Sequence, residues 1–397
     1  MVVRRSAALL VLGLLGTFAS CATVLGLDQF EGGAAAGGGG ASGGGGTGGA
    51  GAGGGDSKPP EGWWHASYLN RVQLTFLAVE EGAVDVPILV PLTADHIPLA
   101  RDGGVDLCFV DADGVTTLPH EVEQWGADSA AVWVRVPEIA AGGTDHIWMY
   151  LGGPADTCPQ APEDVWQDYD LVYHFSDSLA DDRVYSSAAE HDGIVNGMSS
   201  QDQGPCLAGD GLHFGGEGQS IVVEDTAQAL DFAMPLGTVH TVEAWFRIDA
   251  VAVGALISRL RASCGWQIRT TAAPRVVARY QTALSDDCNN EPPAIDEVAH
   301  EVSADDWHYV AVVYDREVHT MTLFVDGALI GTSPLSLEEP LEPANLNIGG
   351  IANHAIFPGW IDEVRFGPFT LSPERATLHW RTMTQNGLPE VGEPESW

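Results

Sequence analysis

The stretch DDWHYVAVVYDREVHTMTLFVDGALIGT, Asp305 to Thr332, decides the fold class of this chain. Apolar side chains recur in it at alternate positions, a pattern typical of β-strands. Asp326-Gly327 follows the second apolar run and is a strong signal for a tight hairpin turn. Neither face of the first run, Trp307 to Tyr314, is plainly polar, so we expect this strand to be covered on both sides or to lie mid-sheet. The stretch therefore predicts strand, loop, strand, tight turn and strand.

Short alternating segments of the same kind extend toward both ends of the chain. They run from Asn70 to Phe366, with turn residues between them and no long helical repeat. Strands this short at this spacing predict an all-β fold of antiparallel β-sandwiches. The Pro- and acid-rich segment PQAPEDVWQDYD (159–170) separates two sets of strands, so we expect two such domains. One helix is predicted over Leu371–Arg381, with Ser372 as its N-cap.

The charge of the chain excludes some classes of partner. Its 397 residues include 17 Lys and Arg against 55 Asp and Glu, a formal charge of −38. Such a surface repels phosphate backbones and lacks basic patches for anionic lipid, so we expect no nucleic-acid partner. The same surface suits divalent cations.

The first residues have the pattern of an export signal. Arg4 and Arg5 precede an apolar run that is too short to span a bilayer, which predicts a secretory signal over residues 1–20. The segment FASC, ending at Cys21, resembles a bacterial lipobox, although Phe18 stands where that family usually has Leu. The resemblance implies that Cys21 is lipidated and that the chain is anchored in the bacterial cell envelope, with Ala22 favouring the outer membrane. The alternative is an ordinary signal cleaved near Ala19.

A low-complexity segment follows the signal. Residues 32–55 are nearly all Gly and Ala, a composition that predicts a flexible tether. The predicted organisation is a signal peptide at 1–20, the lipidated cysteine and linker at 21–60, a first sandwich at 61–157, a connector at 158–170, a second sandwich at 171–385 and a flexible tail at 386–397.

The remaining cysteines indicate disulfide bonds. Export implies an oxidising compartment, and the five cysteines after Cys21 leave at least one unpaired. Cys108 lies inside the apolar run VDLCFV and is our candidate for a buried free thiol. Two plausible bridges join the other cysteines, although the sequence alone does not fix the pairing: Cys158 with Cys206, and Cys264 with Cys288.

Both halves of the chain resemble known families. The second half resembles the laminin-G and concanavalin A-like lectin and glucanase fold through VEAWFRID (242–249), DDWHYVAVVYD (305–315), TLFVDG (322–327), NIGG (347–350) and GWIDEVRF (359–366) followed by LSPE. The first half resembles the domain of unknown function 2341 through VDLCFVDADGVTTLPHEVEQW (105–125), AVWVRVPEI (131–139) and TDHIWMYLGG (144–153). The first resemblance implies a jelly roll that binds glycans or proteins, often with one calcium ion at its rim. The second implies a frequent neighbour of lectin-like domains on bacterial surfaces.

The residues do not show a catalytic pattern. Retaining glucanases of the concanavalin A-like fold carry acids at alternate positions of one strand, and no such triplet occurs here. Asp362 and Glu363 are adjacent, so a regular strand would point them to opposite faces. By resemblance, a calcium site would join Asp182 to Asp362, with Asp177 as a third candidate. The alternative is a turn cap for Asp182 and a hairpin hydrogen bond for Asp362.

Sugar binding requires an exposed aromatic side chain. Trp266, Tyr280 and Trp360 are the candidate platforms, with packing in the core as the alternative for each. Trp245 and Trp307 are expected in the core. We therefore expect a non-catalytic cell-surface binding or adhesion lipoprotein for a glycan or protein ligand. The alternatives are an envelope-associated glycosidase or accessory module of a carbohydrate-active system, and a structural envelope protein.

Overall fold

The computed structural model describes residues 60–397 except 78, 81, 189–190, 217, 225–237, 262–263, 283–293, 337–343, 352–354 and 385–387. The predicted signal, Cys21 and most of the linker lie outside the described residues. Within the described part of the chain, no helix has both the length and the apolar character needed to cross a bilayer.

Strands dominate the described residues, which confirms the all-β prediction. The first part contains β1 (Asn70–Phe76), β2 (Ala83–Thr93), β3 (Cys108–Asp111), β4 (Thr117–Leu118), β5 (His120–Trp125), β6 (Ser129–Ile139) and β7 (Asp145–Leu151), followed by the short helix α1 (Pro162–Val165). The second part contains β8 (Leu171–Tyr173), β9 (Arg183–Val184), β10 (Gly193–Asn196), β11 (Gln203–Pro205), β12 (Asp210–Phe214), β13 (Ser220–Val223), β14 (Val239–Ile248), β15 (Ala255–Arg261), β16 (Cys264–Thr270), β17 (Arg275–Thr282), β18 (Ala294–Glu301), β19 (Trp307–Asp315), β20 (Thr320–Val325), β21 (Ala328–Pro334), β22 (Leu346–Ile348) and β23 (Gly359–Gly367). Helix α2 (Pro373–Met383) and the strands β24 (Glu390–Val391) and β25 (Glu395–Ser396) end the chain, and 3₁₀ turns lie at Ile97–Leu99, Asp102–Gly104 and Leu179–Asp181.

The strands form four antiparallel sheets that stack in order. Sheet A has the order β24-β1-β7-β3-β4, with β25 also on β1, and sheet B has the order β2-β6-β5. Sheet C has the order β11-β12-β23-β14-β19-β20-β21, with β8 on β23, and sheet D has the order β18-β17-β16-β15-β22-β13-β10-β9. One apolar core fills the space between A and B, and a larger one fills the space between C and D. The two predicted sandwiches are therefore present.

A third apolar cluster joins the two sandwiches. The cluster contains Trp133 from β6 of sheet B and Trp245 from β14 of sheet C. Trp166 from the connector lies in the same cluster. Helix α2 closes the same space, since its Ala376 and Met383 lie in this cluster while its Leu378 reaches the core of the first sandwich. Because each central sheet is apolar on both faces, sheets B and C pack against each other through the junction.

The C-terminal residues are part of the first sandwich. Val391 and Ser396 pair with β1, and the indole of Trp397 donates a hydrogen bond to the Tyr68 carbonyl at 2.6 Å. The predicted flexible tail is therefore wrong for the described residues 388–397. The polar composition of the tail does not indicate a strand. The tail nevertheless pairs with β1, because β1 would otherwise be an unpaired edge of sheet A.

The cysteine predictions also need correction. Cys108 forms a disulfide with Cys158, so neither the free thiol at Cys108 nor the pairing of Cys158 with Cys206 is right. Phe109 points into the core of the first sandwich, and the alternation of β3 therefore turns Cys108 to the outer face, toward the connector. Cys264 is disulfide-bonded, but its predicted partner at position 288 lies outside the described residues.

Candidate functional site

A β-bulge in β23 creates an acidic cluster at the junction of the two domains. The pairing of β23 with β14 shifts register between Asp362 and Arg365. Ile361 and Val364 both face the core of the second sandwich, with two residues between them instead of one. The bulge therefore places Asp362 and Glu363 on the same side, away from that core. Glu363 has φ 51°, a strained value for a residue with a side chain. The expectation that the two acids point to opposite faces is therefore wrong.

His174 lies at the centre of this cluster. Its Nδ1 is 2.6 Å from Glu363 Oε1 and 3.7 Å from Glu123 Oε2, and its Nε2 is 3.3 Å from Glu121 Oε2. His174 and Glu363 belong to the second domain, whereas Glu121 and Glu123 lie on β5 of the first. A histidine of one domain therefore connects carboxylates of both.

Each carboxylate in contact with His174 has further donors on its oxygens. Trp166 Nε1 (2.6 Å) and Ser187 Oγ (2.6 Å) donate to Glu121, Trp133 Nε1 (2.8 Å) and Ser176 Oγ (2.8 Å) donate to Glu123, and Arg365 donates to Glu363 at 2.6 and 3.2 Å. The cluster is therefore a connected polar network in which each carboxylate is held in place.

Aromatic rings wall the cluster on its inner side. Trp133 stacks on the imidazole of His174, with ring centroids 5.9 Å apart and planes at 22°. The guanidinium of Arg365 lies 4.6 Å from the ring of Trp133 and 4.8 Å from that of Trp166. These contacts exclude water from the inner side, so charges there interact more strongly than at the surface.

Burial and charge shift the pKa values of the cluster. Burial opposes the charge of His174, but the carboxylates of Glu363 and Glu121 hold its pKa well above the ordinary value. Burial also opposes the charge of Glu363, yet His174 and Arg365 lower the pKa of that carboxyl. Burial raises the pKa of Glu123 to about 8, and burial with the Glu363 charge raises the pKa of Asp362. At neutral pH, Glu363 is therefore ionised beside a charged His174.

A small cavity reaches the cluster from solvent. Its volume is ≈ 80 Å³, and it is lined by Glu121, Val122, Glu123, His174, Ser176, Asp177, Tyr185 and Ser187. Sites for organic ligands usually enclose about 300–1,000 Å³. The cavity therefore admits an ion or a few water molecules and has no room for a sugar chain.

The predicted calcium ligands have different surroundings. Asp182 is exposed at the end of a 3₁₀ turn with φ 58°, whereas Asp362 is buried and accepts hydrogen bonds from the backbone of Ala208 and Glu363. Asp177 lines the small cavity. Among the described residues, the His and carboxylate side chains close enough to share a metal ion are Glu123, His174 and Glu363, whose ligand atoms lie within 4.8 Å of one another. The Glu-x-Glu spacing of β5 puts two acids on one face and was the available sequence signal for this cluster.

The three predicted sugar platforms have different surroundings. Trp266 and Tyr280 are fully buried in the core between sheets C and D, so their prediction as exposed platforms is wrong. Trp360 is half-buried on the outer face of sheet C, on the same side as the junction. Trp307, which we expected in the core, is half-buried beside the junction cluster.

Four side chains form a row across sheet C at the edge of the junction. His213, Trp360, Arg247 and Trp307 are direct neighbours on β12, β23, β14 and β19. The rings of His213 and Trp360 are 5.1 Å apart, and the guanidinium of Arg247 lies 5.8 Å from each indole. Asp249 accepts hydrogen bonds from Arg247 at 3.2 Å and from His213 at 2.9 Å. We call His213, Trp360, Arg247 and Trp307 the aromatic row.

Family models match both domains. Residues 103–184 match the domain of unknown function DUF2341, and residues 216–376 match the concanavalin A-like lectin/glucanases superfamily. Both resemblances predicted from the sequence are confirmed over these residues. No curated protein matches the chain.

Solved structures that match this chain include binding domains of botulinum neurotoxins. The receptor-binding domain of the C/D mosaic serotype is 15% identical to this chain. The match covers 54% of this chain and 51% of that domain, with a TM-score of 0.43. The serotype DC binding domain in complex with SialylT is 11% identical (56% and 52% covered, TM-score 0.43), and the same domain in complex with rat synaptotagmin II is 12% identical (55% and 52% covered, TM-score 0.43). The chain spans about half of the length of these proteins.

Proposed function

We propose that this protein is a non-catalytic binding or adhesion protein of the cell surface, which holds a glycan or protein ligand through its concanavalin A-like domain. The observation that carries this proposal is the aromatic row. The half-buried indoles of Trp307 and Trp360 lie in register on either side of Arg247. The carboxylate of Asp249 accepts a hydrogen bond from Arg247 beside them. An indole face beside fixed hydrogen-bonding groups suits the apolar face and the hydroxyl rim of a sugar ring.

The position of the row supports a surface role. Further along the same face of sheet C, Trp245 and Tyr309 are covered by the connector and by α2. The aromatic row lies beyond this cover, where His213 keeps 35% of its side chain exposed. The row therefore remains accessible to a ligand after the two domains have packed together.

The junction cluster favours binding over the glycosidase alternative. Glycoside hydrolysis needs two carboxyl groups on either side of a cleft that holds a sugar. Here Glu121, Glu123 and Glu363 are held by fixed donors, and the adjoining cavity of ≈ 80 Å³ is too small for a sugar unit. The acids converge, but the space between them is closed to a polysaccharide.

Membrane anchoring belongs to the same proposal. The lipobox-like FASC segment would make Cys21 the site of lipidation, and the Gly- and Ala-rich residues 32–55 follow it. The chain would then be exported and held at the outer membrane, with both sandwiches displaced from the lipid. Incorporation of a labelled fatty acid tests this: Cys21→Ala abolishes the label, whereas an unlabelled parent chain contradicts the anchor.

A glycan array tests the binding role. The purified chain is applied with and without calcium, and the Trp360→Ala variant is compared with Trp148→Ala. Trp148 is a matched control because it is a half-buried indole stacked on an arginine, at 3.9 Å from Arg71, in the other domain. We expect specific binding that Trp360→Ala removes and Trp148→Ala leaves. Hydrolysis of a polysaccharide without stable binding would instead establish the glycosidase alternative.

A further inference from the structure

We propose that Glu123, His174 and Glu363 bind one divalent transition-metal ion, such as Zn²⁺ or Mn²⁺, at the junction of the two domains. Glu121 holds the imidazole of His174 from its other side. This metal site is separate from the aromatic row, and it does not depend on the proposed ligand-binding function.

The ligand atoms have the spacing that a small ion needs. Glu363 Oε1 and Glu123 Oε2 are 2.6 and 3.7 Å from the same nitrogen, His174 Nδ1, and the three atoms all lie within 4.8 Å of one another. Ligands about 2.1 Å from a tetrahedral ion are about 3.4 Å apart, which is inside this range. Side-chain shifts of about an ångström therefore place all three atoms around one ion, with no movement of the strands.

The surroundings of the ligands match those of metal sites. A histidine that binds a metal usually donates its other ring N–H to a carboxylate, and His174 Nε2 faces Glu121 Oε2 at 3.3 Å. Glu363 turns its other oxygen to Arg365, and Glu123 turns its other oxygen to Ser176. Each ligand is thus oriented by a partner that the ion would not displace.

The cavity is an independent indication of a small ligand. Its volume of ≈ 80 Å³ is far below that of a site for an organic ligand, and its lining includes Glu123, His174 and Asp177. An ion with one or two water molecules fits this space, and the water molecules would complete its coordination.

The kinds of ligand atom in the cluster indicate which ion it would bind. The carboxyl groups of Glu121, Glu123 and Glu363 lie beside the imidazole of His174, and Arg365 contacts Glu363. Imidazole with two carboxylates suits zinc, iron or manganese better than calcium, which takes six to eight oxygen ligands. Two carboxyl oxygens and one imidazole nitrogen together define the class of ion.

The ion would link the two domains. Glu123 comes from β5 of the first sandwich, whereas His174 and Glu363 come from the second. An ion that binds the folded state alone raises its stability with the concentration of free ion. The metal would therefore hold the two sandwiches in one fixed arrangement.

Calorimetric titration of the EDTA-treated chain with ZnCl₂, MnCl₂ and CaCl₂ tests this site. We expect one equivalent of Zn²⁺ or Mn²⁺, bound more tightly than Ca²⁺. Binding of no metal, or equal binding of Ca²⁺, would overturn the site.

Variants locate the ion. Glu123→Gln keeps the shape of the side chain and should weaken binding at least about 100-fold, and Glu121→Gln should weaken it about 10–100-fold. His308→Gln is the control, since it removes a histidine–carboxylate pair, with Asp326, that lies outside both the cluster and the aromatic row. Circular dichroism checks that each variant folds, and loss of metal in folded Glu123→Gln supports the site. Unchanged affinity in Glu123→Gln places the ion elsewhere and overturns the proposal. If the chain binds a glycan but no metal, the metal site is wrong and the proposed binding function is unaffected.

Discussion

Replacement of Gly209 by Ala should disrupt the junction cluster from a backbone position. Gly209 has φ +53°, and a Cβ there would overlap Glu123 Oε1 and Ser176 Oγ. These two atoms form the 2.8 Å hydrogen bond of the cluster, and Ser176 Oγ also accepts the backbone N–H of Asp210. The substitution therefore strains the backbone and separates Ser176 from Glu123.

The expected cost has two parts. An L-residue in the left-handed region costs about 1–2 kcal/mol relative to Gly. Loss of the hydrogen bond to the buried carboxyl of Glu123 adds about 1–3 kcal/mol. We therefore expect Gly209→Ala to lower the free energy of unfolding by about 2–5 kcal/mol.

Gly114→Ala is the matched control. Gly114 has φ +70° and no neighbour within 4 Å of an added Cβ, so it carries the backbone cost alone, about 1–2 kcal/mol. Urea unfolding, followed by tryptophan fluorescence at neutral pH, measures both variants. If the two variants lose the same stability, the Ser176–Glu123 contact contributes nothing and our account of the cluster is refuted.

Three further predictions concern stability. Reduction of Cys108–Cys158, which closes a separation of 50 residues, should lower the unfolding free energy by about 4 kcal/mol, whereas identical urea midpoints with and without reductant would contradict this. Burial lowers the pKa of His120 and of His240 to about 4, so the folded state resists protonation that the unfolded chain accepts below about 6.5. Stability should fall by about 3 kcal/mol per histidine as the pH drops from about 6.5 to 4, and a flat pH profile of the urea midpoint would refute this. Trp397→Ala should cost about 1–3 kcal/mol through lost packing and a lost hydrogen bond, and an unchanged melting temperature would show that the C-terminal residues do not stabilise sheet A.

The sequence was sufficient for features that depend on local pattern. Alternation predicts the strand that the structure shows at Trp307–Asp315. The cap signal at Ser372 predicts α2, and its hydroxyl accepts a hydrogen bond from the Arg375 backbone. These features follow from neighbours in the chain, so no knowledge of the tertiary structure is needed.

The candidate site depends on features without a local signal. The register shift at Glu363 reverses the face that alternation assigns to this residue, and a bulge cannot be located from alternation alone. His174 meets Glu121 only because the outer faces of sheets B and C pack together. The partner of Cys108 likewise depends on where the connector crosses sheet A. Each of these is a contact between segments far apart in the chain.

Binding of a ligand at the aromatic row is the central claim of this account. The direct measurement is the dissociation constant of the strongest array ligand for the parent chain and for Trp360→Ala, with Trp148→Ala as control. Loss of one stacked aromatic ring is worth about 1.4 kcal/mol or more, so the account predicts at least a tenfold weaker constant for Trp360→Ala and no change for Trp148→Ala. Equal constants for all three proteins would contradict it.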